Sequence, residues 1–224
     1  MANPSGRMLT PNDVALIFDL DNTLLMSNID FSAVRQQLID MLQAAGAADR
    51  PRDALLHLSL SELVDVGARA TPLLAAPMWE AIRRAELRGL EGAMPAEGAE
   101  AVLHALQAHG YHLALLTNNA REGLLGRLEA LGLTPHFEIV ATRDDVPALK
   151  PAAGGIQYVL ARLPAVRRAY MVGDAWIDAQ AARDAGIRFI GIGDKRASIE
   201  SRRIPIWAWV AELGGLLTLD LSSD

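Results

Sequence analysis

The chain has 224 residues, of which 51% are apolar, no cysteine, and a formal net charge of -6. This length and apolar share suit one large domain or a domain carrying an insertion. The acidic balance argues against nucleic acid or an anionic membrane as the main partner, since both select basic surfaces, and the missing thiols exclude disulfide frameworks, thiolate zinc sites and cysteine nucleophiles.

Met1 to Thr10 include Pro4, Gly6 and Arg7, and the apolar run Val14-Ala15-Leu16-Ile17-Phe18 meets Asp19 after five residues, too soon for a signal-peptide core. No segment approaches the roughly 20 apolar residues of a membrane span. A cytoplasmic protein acting on a small molecule is therefore expected. The run from Val14 to Phe18 has no polar alternation and reads as a strand buried on both faces, as in a parallel sheet covered by helices.

The run ends in Asp19-Leu20-Asp21-Asn22-Thr23, at the carboxyl edge where open α/β sheets bind ligands. Leu20 is expected to point inward, leaving Asp19 and Asp21 facing a solvent-filled crevice. Such a pair can hold a divalent metal, supply a nucleophile or share a proton. It can equally be a turn that caps the following helix.

From Met26 to Ala93 no strand is evident, and helices are predicted at 31–45, 59–69 and 73–87. Val34, Leu38, Met41 and Leu42 recur at helical spacing, while Pro51, Pro72 and Pro77 punctuate the segment. Arg35, Arg50, Arg52, Arg69, Arg83, Arg84 and Arg88 make it rich in guanidinium, and it contains no lysine. A domain organisation of 1–25 with 94–224, interrupted by a helical insertion at 26–93, is expected.

Alternation then resumes. A helix at 98–108 precedes a strand at 112–116 ending in Thr117-Asn118, then a helix at 121–131 and a strand at 137–141. After Lys150-Pro151 come a helix at 155–163, a strand at 169–172 leading to Gly173-Asp174, a helix at 177–185 and a strand at 187–192. This βαβα order predicts an α/β, Rossmann-like parallel sheet with helices on both faces.

Gly191-Ile192-Gly193 follows a strand, but Arg196 stands at the third glycine position, which argues against a dinucleotide fingerprint. The histidines, His104, His109 and His112 among them, show no metal-ligand spacing. Trp207 and Trp209 are expected to pack at a sheet edge or in a dimer contact. Only Lys150 and Lys195 among the 21 basic residues are lysine, which raises the question of what a compact ammonium does there that a guanidinium cannot.

Taken singly, Thr117-Asn118 reads as a helix cap and Lys150 as an exposed loop lysine, and Gly173-Asp174 is a weak signal. Their order along the chain resembles the four motifs of the haloacid dehalogenase superfamily. These are Phe18-Asp19-Leu20-Asp21-Asn22-Thr23-Leu24, Leu116-Thr117-Asn118-Asn119, Lys150-Pro151, and Gly173-Asp174-Ala175-Trp176-Ile177-Asp178. The insertion is similar to the helical cap of the family's first subclass, as in phosphoglycolate phosphatases, a cap that closes over the substrate's leaving group.

The resemblance implies a phosphatase acting on a small phosphate ester, as a monomer or homodimer, with Mg²⁺ as cofactor. Asp19 would be the nucleophile and Asp21 the general acid and base. Asp19, Asp174 and the backbone carbonyl of Asp21 would hold the metal, with Asp178 and Thr23 behind them. Thr117 and Asn118 would bind the phosphoryl oxygens, and Lys150 would neutralise Asp19 and phosphate together. If one or two cap arginines met the substrate, a second anionic group such as the carboxylate of phosphoglycolate would suit them.

Within the superfamily, phosphonoacetaldehyde hydrolases use a cap lysine that is absent here, and true haloacid dehalogenases need neither an acid at Asp21 nor a metal. A sugar phosphomutase of the same chemistry is the enzymatic alternative. A non-catalytic binding relative would be expected to have lost Asp19, Asp21 or Lys150.

Overall fold

The computed structural model describes residues 8–223; the N-terminal stretch with Pro4, Gly6 and Arg7 lies outside the described residues. The strands in chain order are β1 (Val14–Phe18), β2 (Leu25–Met26), β3 (Met94–Pro95), β4 (His112–Leu116), β5 (Ile139–Ala141), β6 (Arg168–Gly173), β7 (Arg188–Ile192) and β8 (Ala208–Val210). Six of them form one sheet in the order β5-β4-β1-β6-β7-β8. Every pairing in it is parallel.

The unbroken apolar run of β1 now has its cause. It lies between β4 and β6, and all five of its residues are fully buried. Ala15 and Ile17 join a core with Ile156 and Val159 of a helix at Gly154–Leu160, with Ala179, Ala181 and Ala182 of another at Trp176–Asp184, and with Ile199. A further helix, Ala99–Ala108, contacts β4 and the C-terminal 3-10 helix Leu213–Thr218. The α/β, Rossmann-like sheet expected from the βαβα order is present.

β8 is not among the strands expected from the sequence, where Trp207 and Trp209 read only as packing residues. It forms the sheet's outer edge, and the Trp209 ring lies so close over Gly191 that a Cβ there would come within 2.1 Å of it. The indole nitrogen of Trp209 donates to the carbonyl of Gly193 at 2.9 Å. Gly191 therefore serves edge packing. Trp207 packs against Tyr170 with the rings tilted at 52° and their centroids 4.8 Å apart.

The contacts divide the described chain into two units. Residues through Met26, Met94–Arg121 and Leu128 onward form the first, and Ser27–Ala93 with Glu122–Arg127 form the second. The antiparallel pair of β2 and β3 belongs to the first unit, with Met26 opposite Met94, and was not foreseen because its strands have two residues each.

The second unit is helical. α1 (Phe31–Ala44) is capped by Asp30, whose side chain accepts from the N-H of Ala33 at 2.8 Å. Val34, Leu38, Ile39 and Leu42 are its buried stripe, with Met41 only half-buried. A single turn, α2 (Arg52–Leu55), precedes α3 (Leu60–Ala70), which starts at a capping box of Ser59 and Glu62. α4 (Ala75–Glu91) follows a 3-10 turn at Pro72–Leu74.

Most of the arginines of this unit have local partners. Arg50 pairs with Asp49, Arg52 with Asp40, and Arg83 and Arg84 with Glu80, while Arg35 donates to the carbonyl of Leu58. Arg69 and Arg88 are exposed.

The helix expected at 121–131 is interrupted. α5 is the helix already placed at Ala99–Ala108, and α6 (Arg121–Ala130) has non-helical backbone at Glu122 and at Gly123, where φ is 77°. A left-handed glycine breaks the helix at little steric cost. Residues 122–127 then belong to the second unit, where Glu122 pairs with Arg83 at 3.0 Å.

Candidate active site

A parallel sheet delivers the carboxyl ends of its strands to one edge, and the singled-out residues follow those ends. Asp19 comes directly after β1, Thr117 after β4 and Asp174 after β6. The ladder runs on into them: the N-H of Asp19 donates to Val172 at 2.8 Å and that of Thr117 to Ala141 at 3.0 Å.

The Asp19-to-Leu24 segment is a turn that leads into β2; it caps no helix. Leu20 is fully buried, and its carbonyl accepts from the N-H groups of Leu24 at 2.8 Å and Leu25 at 2.9 Å. Asn22 takes a φ of 57°, a left-handed conformation that Asn tolerates better than most residues. Asp19 and Asp21 are each 8% exposed, so the expectation of a pair facing a solvent-filled crevice is corrected to one of largely buried carboxylates. Thr23 is buried too, its hydroxyl without a hydrogen-bond partner among the described residues.

Lys150 is 1% exposed. Its ammonium donates to Asp19 Oδ1 at 2.5 Å and to the carbonyl of Leu116 at 3.0 Å, and it pairs with Asp178 Oδ1 at 2.7 Å. Three acceptors around one tetrahedral donor explain why this position is lysine and not arginine, whose donors lie in a planar fork. Burial alone would lower its pKa, but the charges of Asp178 and Asp19 outweigh that and hold it above the ordinary lysine value.

Asp178 lies in the first turn of α8, Trp176–Asp184, where α7 is the preceding helix at Gly154–Leu160. Its Oδ2 accepts from the N-H of Ala175 at 3.1 Å, so one carboxylate both caps the helix and holds Lys150. A Cβ at Gly173 would sit 2.6 Å from the Asp178 carboxyl carbon. The Gly-Asp pair thus admits Asp178 to the site as well as presenting Asp174.

The site carries more negative charge than its lysines balance. Asp19, Asp174 and Asp178 are buried, with carboxylate oxygens within 4.8 Å of one another. Burial and then the charge of Asp19 push Asp174 above the usual carboxylate range, against the opposing pull of Lys195 and Lys150. Asp178 is likewise raised, by burial first and by Asp19 next. Clustered hard oxygen donors with an unmatched charge are what a divalent cation such as Mg²⁺ selects, so the donor set fits that ion.

Thr117, 1% exposed, accepts from the N-H of Asn119 at 3.1 Å through its hydroxyl. Asn118 has a role its motif position did not disclose. Its side-chain amide donates to the carbonyl of Lys150 at 2.8 Å, and its Oδ1 accepts from the N-H of Lys150 at 3.0 Å. This reciprocal pair fixes the loop that carries the ammonium.

Two further residues meet the site without having been predicted to. Asn119, buried, donates from Nδ2 to Asp21 Oδ2 at 2.8 Å. Lys195, in the loop after β7, pairs with Asp174 Oδ2. Asn119 adjoins the second motif, and Lys195 was marked by the scarcity of lysine; neither signal named a partner.

A family model for haloacid dehalogenase-like hydrolases matches residues 16–192, and the chain belongs to that family. Among curated proteins it is 34% identical to a phosphoglycolate phosphatase of Agrobacterium fabrum, over 84% of this chain and 82% of that one. It is 31% identical to a phosphoglycolate phosphatase of Rhodobacter capsulatus (79% and 82%) and 29% to the pyrophosphatase PpaX of Bacillus pumilus (79% and 82%). A solved hydrolase from Pseudomonas syringae superposes with a TM-score of 0.68 at 21% identity, covering 92% of this chain and 96% of the other. That likeness is one of fold.

Proposed function

We propose that this hydrolase is a Mg²⁺-dependent phosphatase that cleaves a small phosphate monoester through an aspartyl-phosphate on Asp19. The observation that carries the reading is the pairing of Asp19 with the buried Lys150 at 2.5 Å, beside the clustered carboxylates of Asp174 and Asp178. A carboxylate attacking a phosphate dianion meets like-charge repulsion. A unit charge pair at ~4 Å is worth about 4 kcal/mol at an effective dielectric near 20, against roughly 1 in bulk water, so a buried ammonium is well placed to offset it.

In this reading a carboxylate oxygen of Asp19 bonds to phosphorus while the ester P-O bond breaks, and Asp21 gives its proton to the departing oxygen. Asp21 then takes a proton from water. The water oxygen attacks phosphorus, which releases inorganic phosphate and returns Asp19 to its carboxylate. Asn119 keeps Asp21 oriented, and Thr117 hydrogen-bonds the phosphoryl oxygens. Asp19, Asp174 and the carbonyl of Asp21 would hold Mg²⁺, which when bound supplies positive charge to the transferring phosphoryl group. Asp178 stays behind Lys150.

The relatives at 31% and 34% identity are phosphoglycolate phosphatases, which favours a phosphorylated small organic acid over a neutral-tailed ester. Phosphate release from p-nitrophenyl phosphate and a panel including phosphoglycolate tests the proposal. We expect turnover that EDTA abolishes and added Mg²⁺ restores, highest on the carboxylate-bearing ester. Undiminished hydrolysis in metal-free buffer would overturn the metal assignment; isomerisation of a hexose phosphate without phosphate release would mark a mutase instead.

A further inference from the structure

The two lysines stand in different physical situations beside the same carboxylates. Lys150 is 1% exposed and bound to acceptors on three segments, so it cannot leave without stranding buried charge. Lys195 is 49% exposed on its side chain and reaches one site oxygen, Asp174 Oδ2, from the loop after β7, the strand next to β6 in the sheet. A half-exposed ammonium on a four-carbon stem can swing into water at small cost. Asp174 is also one of the carboxylates that would hold a divalent cation, and a carboxylate whose charge is already matched by an ammonium attracts a second cation less strongly.

We propose that Lys195 is a displaceable internal counter-ion: it occupies Asp174 when no divalent cation is bound and gives the carboxylate up when one enters. The divalent affinity of the site is then set by competition with a cation tethered to the chain itself. This rests on the metal site assigned above and adds to it a residue that tunes how tightly that site is held. The fixed lysine serves the nucleophile; the mobile one serves the metal carboxylate.

Calorimetric titration with Mg²⁺ of the wild type and of Lys195→Met tests this without any substrate. Removing the competitor is expected to tighten binding by roughly tenfold, equivalent to about 1.4 kcal/mol. Because the chain has only two lysines, isotope-labelled lysine gives two side-chain signals. The wild-type signal lost in Lys195→Met is expected to move towards that of a free lysine as Mg²⁺ saturates the site. Equal or weaker Mg²⁺ binding by the variant, or a Lys195 signal that stays put while heat shows binding, would overturn the role of Lys195 and leave the metal site standing. No Mg²⁺ uptake by the wild type would remove both.

Discussion

At the scale of single residues, Lys150 gathers two ion pairs of the candidate site. Its ammonium joins Asp19, Asp178 and the end of β4, and removing one partner of a buried ion pair typically costs 3–5 kcal/mol because the other charge is left uncompensated. Lys150→Met should therefore lower stability in metal-free buffer by about 3 kcal/mol and abolish turnover. Chemical denaturation and phosphate release measure the two. An unchanged midpoint would mean that Asp19 and Asp178 do not depend on this ammonium. Asp19, Asp21 and Lys150 were legible in the sequence because a motif names residue types at spacings. The bonds of Asn119 to Asp21 and of Asn118 to the Lys150 backbone were not, since they join loops 98 and 32 residues apart that only the fold brings together.

At the scale of elements, buried strands announce themselves as apolar runs, and β1, β4, β5, β6 and β7 lie within two residues of where the runs place them. β2 and β3 escaped because two residues each show no period, and β8, three residues like β5, was legible only as the packing of Trp207 and Trp209 at a sheet edge. The break in α6 escaped for another reason: Gly123 is compatible with a helix, and its left-handed backbone reflects the unit to which residues 122–127 belong. The junction of β6 and α8 carries its own test. With a Cβ at position 173 only 2.6 Å from the Asp178 carboxyl carbon, Gly173→Ala must push Asp178 off Lys150 or off the start of the helix. Overpacking of this kind costs typically 1–3 kcal/mol, and a loss of turnover larger than the loss of stability implies is expected from steady-state kinetics beside thermal melts. Wild-type turnover in a folded Gly173→Ala protein would contradict the part given to Asp178.

For the whole molecule, a parallel sheet is what converts residues scattered from position 19 to position 195 into one constellation, because each follows the carboxyl end of its strand or lies in the loop or first helical turn beyond. Among the described residues no helix is long and apolar enough to cross a membrane. Composition had indicated a small-molecule partner through its acidic charge, and family membership narrows the chemistry to hydrolysis. The substrate's tail is less legible, since in the proposed reading the core motifs meet only the phosphoryl group common to all such esters, and the guanidinium groups of the helical unit are largely committed to their neighbours.

The central claim is that Asp19 bonds to phosphorus during turnover. Acid-quenching the enzyme with its phosphate ester, reducing the acyl phosphate with borohydride and mapping the peptides by mass spectrometry addresses it directly. Asp19 is expected to be converted to homoserine during turnover, with no such product from Asp19→Asn. Ongoing turnover with Asp19 unmodified, together with near-normal rates from Asp19→Asn, would contradict it.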